Sequence, residues 1–201
     1  MTYKQLSSVS QWCMYDDAMS KAQTVLVNYH NKLKLAKYFD EGKTSSSDGM
    51  RPKLGVSSLH VDSNLHYGTG KGTTIYRFTS DQISSYYSKI INNNSRDATH
   101  VLDVLLNNDT DLNIEEHYID TAGYIDQVFA LIYLLGFRFV PRIRDLSDIK
   151  LFTLNKCDKF SNLYGILKGK IIKDNYDEVL KLASSIKEWT VISSLFRIHY
   201  I

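Results

Sequence analysis

The sequence predicts an α/β fold in which a mixed five-stranded sheet is flanked by helices and preceded by a long N-terminal helix. Three observations carry this prediction. Apolar residues recur every three or four positions from Trp12 to Phe39. Strand-like runs then follow one another between His60 and Ile91, and from Asp97 onward helical and extended patterns alternate.

The N-terminal periodicity (Trp12, Tyr15, Met19, Ala22, Val25, Leu26, Tyr29, Leu33, Ala36, Phe39) suits one face of a single long helix, with Ser10 as its N-cap. Glu41–Gly49, rich in Gly, Ser and Thr, reads as a loop. His60–Tyr67 and Thr73–Thr79 flank a Gly-rich turn and predict a hairpin, and Ser85–Ile91 predicts a further strand ended by the run Asn92–Ser95. Asp97 is placed to cap a helix that turns Val101, Leu102, Leu105 and Leu106 inward. A strand at His117–Ile119 follows, then a helix from Asp126 to Leu135 stopped by Gly136, then a strand Phe137–Val140 closed by Pro141. The Asp126–Leu135 helix is apolar almost all round, which predicts burial against the sheet. A last amphipathic helix, Tyr176–Trp189, carries Val179, Leu182, Ala183 and Ile186 on one face. A meander of strands followed by β/α alternation is the order of a ribonuclease-H-like domain.

With 201 residues the chain can bury one sizeable core, so residues 1–40 are expected as a helical extension and 41–201 as the domain itself. Hydrophobic residues at 43% and charged residues at 23% exclude a disordered or fibrous class. A net charge of +2 is too small for composition alone to argue for nucleic acid. Cys13 and Cys157 form no CxxC pair, which argues against a zinc or disulfide framework and fits a reducing compartment. There is neither a signal-like N-terminus nor a run of eighteen apolar residues. The expectation is a cytoplasmic protein without a membrane partner.

Two aspartates stand where strands should end, Asp48 in Ser45–Arg51 and Asp120 in His117–Tyr124. Carboxylates at strand ends of an α/β sheet converge even when 72 positions separate them. Converging carboxylates hold paired divalent ions, one activating the attacking oxygen and one stabilising the leaving oxygen of a phosphodiester; magnesium suits such oxygen ligands. The residues alone leave plainer roles open, a turn residue for Asp48 before Gly49 and a helix start for Asp120. The Gly68–Thr73 turn lacks P-loop spacing, and His60, Asp62 and His66 are spread over too long a span for a shared metal. Fourteen tyrosines single out no nucleophile.

The segments Arg96–Asp103, Ile114–Tyr124 and Leu134–Asp145, with Ser45–Gly49 upstream and Asp177–Lys187 downstream, closely resemble the Tn-three family of replicative DDE transposases. The resemblance implies a ribonuclease-H-like catalytic core. In it Asp48 matches the first and Asp120 the second acid of the DDE triad. It also implies magnesium as cofactor, with manganese as a possible substitute, double-stranded DNA (transposon ends and target) as partner, and self-association with an intact transposase. Arg96, His100, His117, Arg138, Arg142 and Arg144 fall at matching positions, and Arg138, Arg142 and Arg144 are candidates for DNA phosphate contacts. Met50 and Pro52 depart from the family's usual Gln and Phe, and Pro52 removes a backbone donor near the first strand. The family's third acid, a glutamate, is expected beyond Ile201. The chain is therefore expected to be a truncated piece of the catalytic region, inactive alone in strand cleavage and joining. Two other readings stand beside it: a catalytically dead DNA-binding or self-association fragment, and a complete ribonuclease-H-like nuclease with Glu178 or Glu188 as third acid.

Overall fold

The structure is a computed structural model, and it describes residues 2–55, 60–63, 70–92, 97–120, 125–145, 147, 151–154 and 164–191. In place of one long N-terminal helix there are three: α1 (Tyr3–Cys13), α2 (Asp16–Lys32) and α3 (Lys34–Phe39). Ser10 lies inside α1, where its carbonyl accepts from Met14 N, and the cap is Thr2, paired with Gln5 in a capping box. The apolar period spans both breaks without registering them, because Tyr15 and Leu33 are extended residues that themselves fit the spacing.

After α3 the chain turns at Gly42, whose φ of 75° and position against Leu112 leave no room for a Cβ. It then enters β1 (Thr44–Met50), where the sequence suggested a loop. This serine-rich segment is a strand because its alternate hydroxyls are satisfied inside the fold: Ser45 and Ser47 are buried, whereas Ser46 and Asp48 face out. Asp81 anchors the start of the strand, its Oδ2 accepting from the amides of Lys43 and Thr44. Gln82 beside it donates to Asn31 and to the Asp40 carbonyl, tying the helices to the sheet.

The expected hairpin is smaller than its sequence signal. β2 (Asp62–Ser63) pairs with β3 (Lys71–Gly72) as a separate two-stranded ribbon, and residues 64–69 between them lie outside the description. The strand β4 (Thr74–Ser80) pairs instead with β1 and with β5 (Ser85–Ile91). A five-stranded sheet is present, but β1 is a member, and of the expected strand His60–Tyr67 the described residues 60–63 lie outside it. α4 (Asp97–Leu106) buries Ala98, Val101, Leu102, Val104 and Leu105, with Leu106 half-buried. β6 (Glu116–Ile119), α5 (Asp126–Leu134) and β7 (Arg138–Pro141) follow. A Schellman motif ends α5: Gly136 N donates to Tyr133 O and Phe137 N to Ile132 O, with Gly136 at φ 92°. α5 buries only Val128 and Ile132; Phe129 and Tyr133 stay exposed, so its all-round apolarity overstated its burial. β8 (Leu151–Thr153) pairs with β9 (Tyr164–Ile166), and α6 (Gly169–Lys187) packs on α5 through a face that buries Ala183 and Ile186 but leaves Val179 largely exposed.

The sheet runs in the order β5-β4-β1-β6-β7, antiparallel from β5 to β1 and parallel from β1 to β7. This mixed α/β arrangement is consistent with a ribonuclease-H-like core. One face packs Tyr76, Phe78, His117, Ile119 and Phe139 toward α4 and α5, and α2 adds Val27 to that core. The positions facing away, among them Ser46, Asp48, Arg77, Tyr118 and Arg138, are exposed. Among the described residues no helix is long and apolar enough to cross a membrane.

Candidate active site

Parallel pairing of β1 with β6 sets Ser45 beside His117 and Ser47 beside Ile119. Asp48 and Asp120 each stand one residue past that last pair, and both are exposed; Asp120 follows the end of β6, whereas Asp48, expected at a strand end, lies inside β1, which runs on to Met50 because its pairing with β4 continues there. Adjacent strands are about 4.8 Å apart, so the two aspartates leave the sheet from adjoining backbone. Asp48 Oδ1 accepts from the amide of Gly49 at 2.8 Å, which holds the carboxylate against its own strand backbone. On the other side of Asp48, antiparallel β4 places Arg77 as its cross-strand partner. Sequence reasoning missed Arg77, because nothing local marks it as opposite Asp48.

Asp120 lines a cavity of about 440 Å³ with Ser46, Ser47, Tyr118, Ile119, Val140, Pro141 and Arg142. Arg142 therefore shares a surface with Asp120, and its amide donates to Ile119 O. Arg138 is at the opposite end of β7, where its guanidinium pairs with Glu116 at 3.0 Å. Tyr118 OH donates to the same Glu116, a bond that holds the phenol above its ordinary pKa. Arg144 lies on the exposed chain after β7, 3.6 Å from Asp145. Arg96 and Cys157 fall outside the described residues, and Cys13 is exposed. His100 sits in α4, where burial lowers its pKa.

Two hard carboxylates on neighbouring strands are a donor set that suits a divalent cation such as magnesium. Among the described residues no third His, Cys, Asp or Glu completes a cluster with them. Glu188 lines a different cavity with Asp177, Leu180, Lys181, Ser184 and Ser185 on α6, sharing no residue with the cavity of Asp120.

Beneath the aspartates, on the covered face, lies a polar chain that sequence reasoning also missed. His117 is fully buried, with Ser45 Oγ 2.7 Å from Nδ1 and Ser47 Oγ 2.9 Å from Nε2. Ser47 Oγ is in turn 2.7 Å from the Tyr76 hydroxyl. The imidazole stacks on Phe139 with ring centroids 6.2 Å apart and approaches Phe78 at 5.6 Å. Burial among these groups pushes its pKa down to about 3, so the ring is neutral. The segment itself, three consecutive serines at Ser45–Ser47, reads more readily as a loop.

The model of the Tn3 transposase DDE domain matches residues 1–196. The chain is 67% identical over 199 residues to the transposase for transposon Tn1546 from Enterococcus faecium, 97% of this chain and 20% of that protein. It is 43% identical over 202 residues to the transposase for transposon Tn501 from Pseudomonas aeruginosa, again 97% of this chain and 20% of the relative. It is 33% identical over 199 residues to the transposase for transposon gamma-delta from Escherichia coli, covering 96% of this chain and 20% of the relative. The chain thus spans about a fifth of the length of these relatives. No solved structure matches it significantly. On the family match across nearly its whole length, the chain belongs to the Tn3 transposase DDE domain family.

Proposed function

We propose that the chain contributes two carboxylates, Asp48 and Asp120, to the active site of a DDE transposase that cleaves transposon ends and joins the freed 3′-hydroxyls to target DNA. The observation that carries this reading is that the two acids each stand one residue past the last β1–β6 pair, on adjacent parallel strands and on the exposed face. Bound divalent metal, magnesium or manganese in its place, supplies activation of the attacking oxygen and stabilisation of the leaving one. Asp48 and Asp120 hold that charge, and the amide of Gly49 fixes one oxygen of Asp48. Arg142 beside Asp120 and Arg144 further along the same segment are placed to meet DNA phosphates, and Arg77 approaches Asp48 from β4. Arg138, held by Glu116 at the far end of β7, would meet DNA there rather than at the scissile phosphate.

We read residues 1–40 as a helical extension and 41–201 as part of a ribonuclease-H-like domain, a division supported by the first sheet strand beginning at Thr44. Self-association with an intact transposase belongs to the same reading. The alternative of a nuclease complete in itself is weakened by the separate cavity of Glu188. With two carboxylates, the ion pair assembles rarely, and the isolated chain is expected to be inactive.

The experiment is an assay of purified chain on transposon-end DNA with magnesium or manganese, beside Asp48→Ala, Asp120→Ala and Glu178→Ala. No cleavage by the chain is expected, together with weak DNA binding that salt abolishes. Cleavage by the parent that disappears in Glu178→Ala would show that the third acid lies within this chain.

A further inference from the structure

His117 is buried on the covered face of the sheet, three residues before Asp120, and its two ring nitrogens reach two hydroxyls of the neighbouring strand that carries Asp48. We infer that His117 is a positioning residue: through Ser45 and Ser47 it locks β1 to β6 in the one register that brings Asp48 and Asp120 out side by side. The inference rests on the reading of those aspartates as metal ligands, and it concerns what holds them.

The register argument comes from the sequence around the clamp. His117 is the cross-strand partner of Ser45, and Ser47 is the next residue of β1 on the same covered face. A slip of β1 by one residue would turn Ser46 and Asp48 inward and both pins outward, since strand side chains alternate. A slip by two keeps the faces but sets His117 against either Ser47 and Gly49 or Lys43 and Ser45. In each case one ring nitrogen loses its hydroxyl in a site without water access, and a buried polar atom without a partner is costly. Only the observed register satisfies both nitrogens, at 2.7 and 2.9 Å. The neutral ring donates at one nitrogen and accepts at the other, and each serine hydroxyl can take either complementary role. Ser47 is also within 2.7 Å of Tyr76 OH on β4, so three strands meet at the residue that precedes Asp48. Phe139 stacks on the ring and Phe78 approaches it at a tilt, so the imidazole is packed among aromatic side chains while the two hydroxyls meet its nitrogens.

The test uses the full chain in three forms besides the parent: His117→Phe, Ser45→Ala and Ser47→Ala, each first shown to be folded by circular dichroism and melting. Two quantities are then read. Cross-strand nuclear Overhauser contacts between β1 and β6 report the register at the Asp48 end without any metal, and titration with Mn²⁺ reports whether the two carboxylates still act together. Asp48→Ala and Asp120→Ala serve as controls for the metal reading. The parent is expected to show the Ser47–Ile119 contacts and to bind Mn²⁺ in a manner lost in both controls. His117→Phe and Ser47→Ala are expected to weaken Mn²⁺ binding about tenfold, in the range seen when groups orienting metal ligands are removed, and to lose or shift the contacts next to Asp48. Ser45→Ala, one pin further from the acids, should do so less. If His117→Phe does not fold, the two serine variants, each lacking a single oxygen, decide the matter alone. Folded variants that melt earlier yet keep parental contacts and parental Mn²⁺ affinity would overturn the inference, since a purely structural role predicts that outcome. A parent that shows the expected register but binds Mn²⁺ no better than the two controls would instead overturn the metal reading, and the contacts would still decide whether His117 sets the register.

Discussion

The two faces of β1 carry similar residues and meet opposite surroundings. Inward, Ser45 and Ser47 are buried, and each hydroxyl is engaged by His117 or Tyr76. Outward, Ser46 and Asp48 lie in the open, and Asp48 is bonded to the amide of its own neighbour. A polar group on the covered face is held in place and is costly to disturb. One on the open face contributes little to stability and remains available to a cation or a phosphate. The same short polar segment is therefore pinned from its covered face and leaves its carboxylate on the open one.

The largest effect that would break this comparison is acid. His117 has its pKa lowered by burial to about 3, from an ordinary value of 6.5, so below about pH 6.5 the unfolded chain takes up a proton that the folded chain refuses. Stability is therefore whole above that pH and falls as pH drops toward 3, with an upper bound of roughly 5 kcal/mol. Urea midpoints measured between pH 7 and 4 should show the decline, and His117→Phe should flatten it. Next is the packing around the same ring. Phe78 is fully buried with its ring 4.9 Å from Tyr76, and Phe78→Ala should cost about 3–5 kcal/mol in denaturant unfolding. Ser47→Ala strands its partners and should cost about 1–3 kcal/mol. The smallest effects belong to exposed positions: Asp48→Ala and Tyr133→Ser should stay within about 0.5 kcal/mol of the parent in thermal melts. A large loss of stability in Asp48→Ala would erase the distinction between the faces.

Elements with a local signature were legible in the sequence. Ser85–Ile91 reads as a strand from its own residues, and the stop at Gly136 follows from the left-handed conformation that a Schellman motif needs. What was not legible depends on partners far along the chain. β1 looks like a loop because serine has little strand preference, and only a histidine 72 residues away makes its hydroxyls useful inside. The N-terminal period hides two breaks because an extended residue at the right spacing does not interrupt it. The Gly-rich signal at Gly68–Gly72 reads as a turn between His60–Tyr67 and Thr73–Thr79, whereas Lys71–Gly72 itself pairs with Asp62–Ser63 and β4 pairs with β1 and β5, partners that no local pattern names. For the candidate site, Asp48 and Asp120 came from resemblance, their adjacency from the sheet order, and Arg77 from register alone.

Asp48 and Asp120 are proposed to share one metal site. The most direct measurement is paramagnetic broadening of backbone amide signals in the isotopically labelled chain during titration with Mn²⁺. The signals of Gly49 on β1 and of Ile119 on β6 should broaden at the same low Mn²⁺ concentration, and both should be spared in either Asp48→Ala or Asp120→Ala. Broadening confined to one strand, or centred on Asp177 and Glu178 of α6 while β1 and β6 stay sharp, would contradict the account.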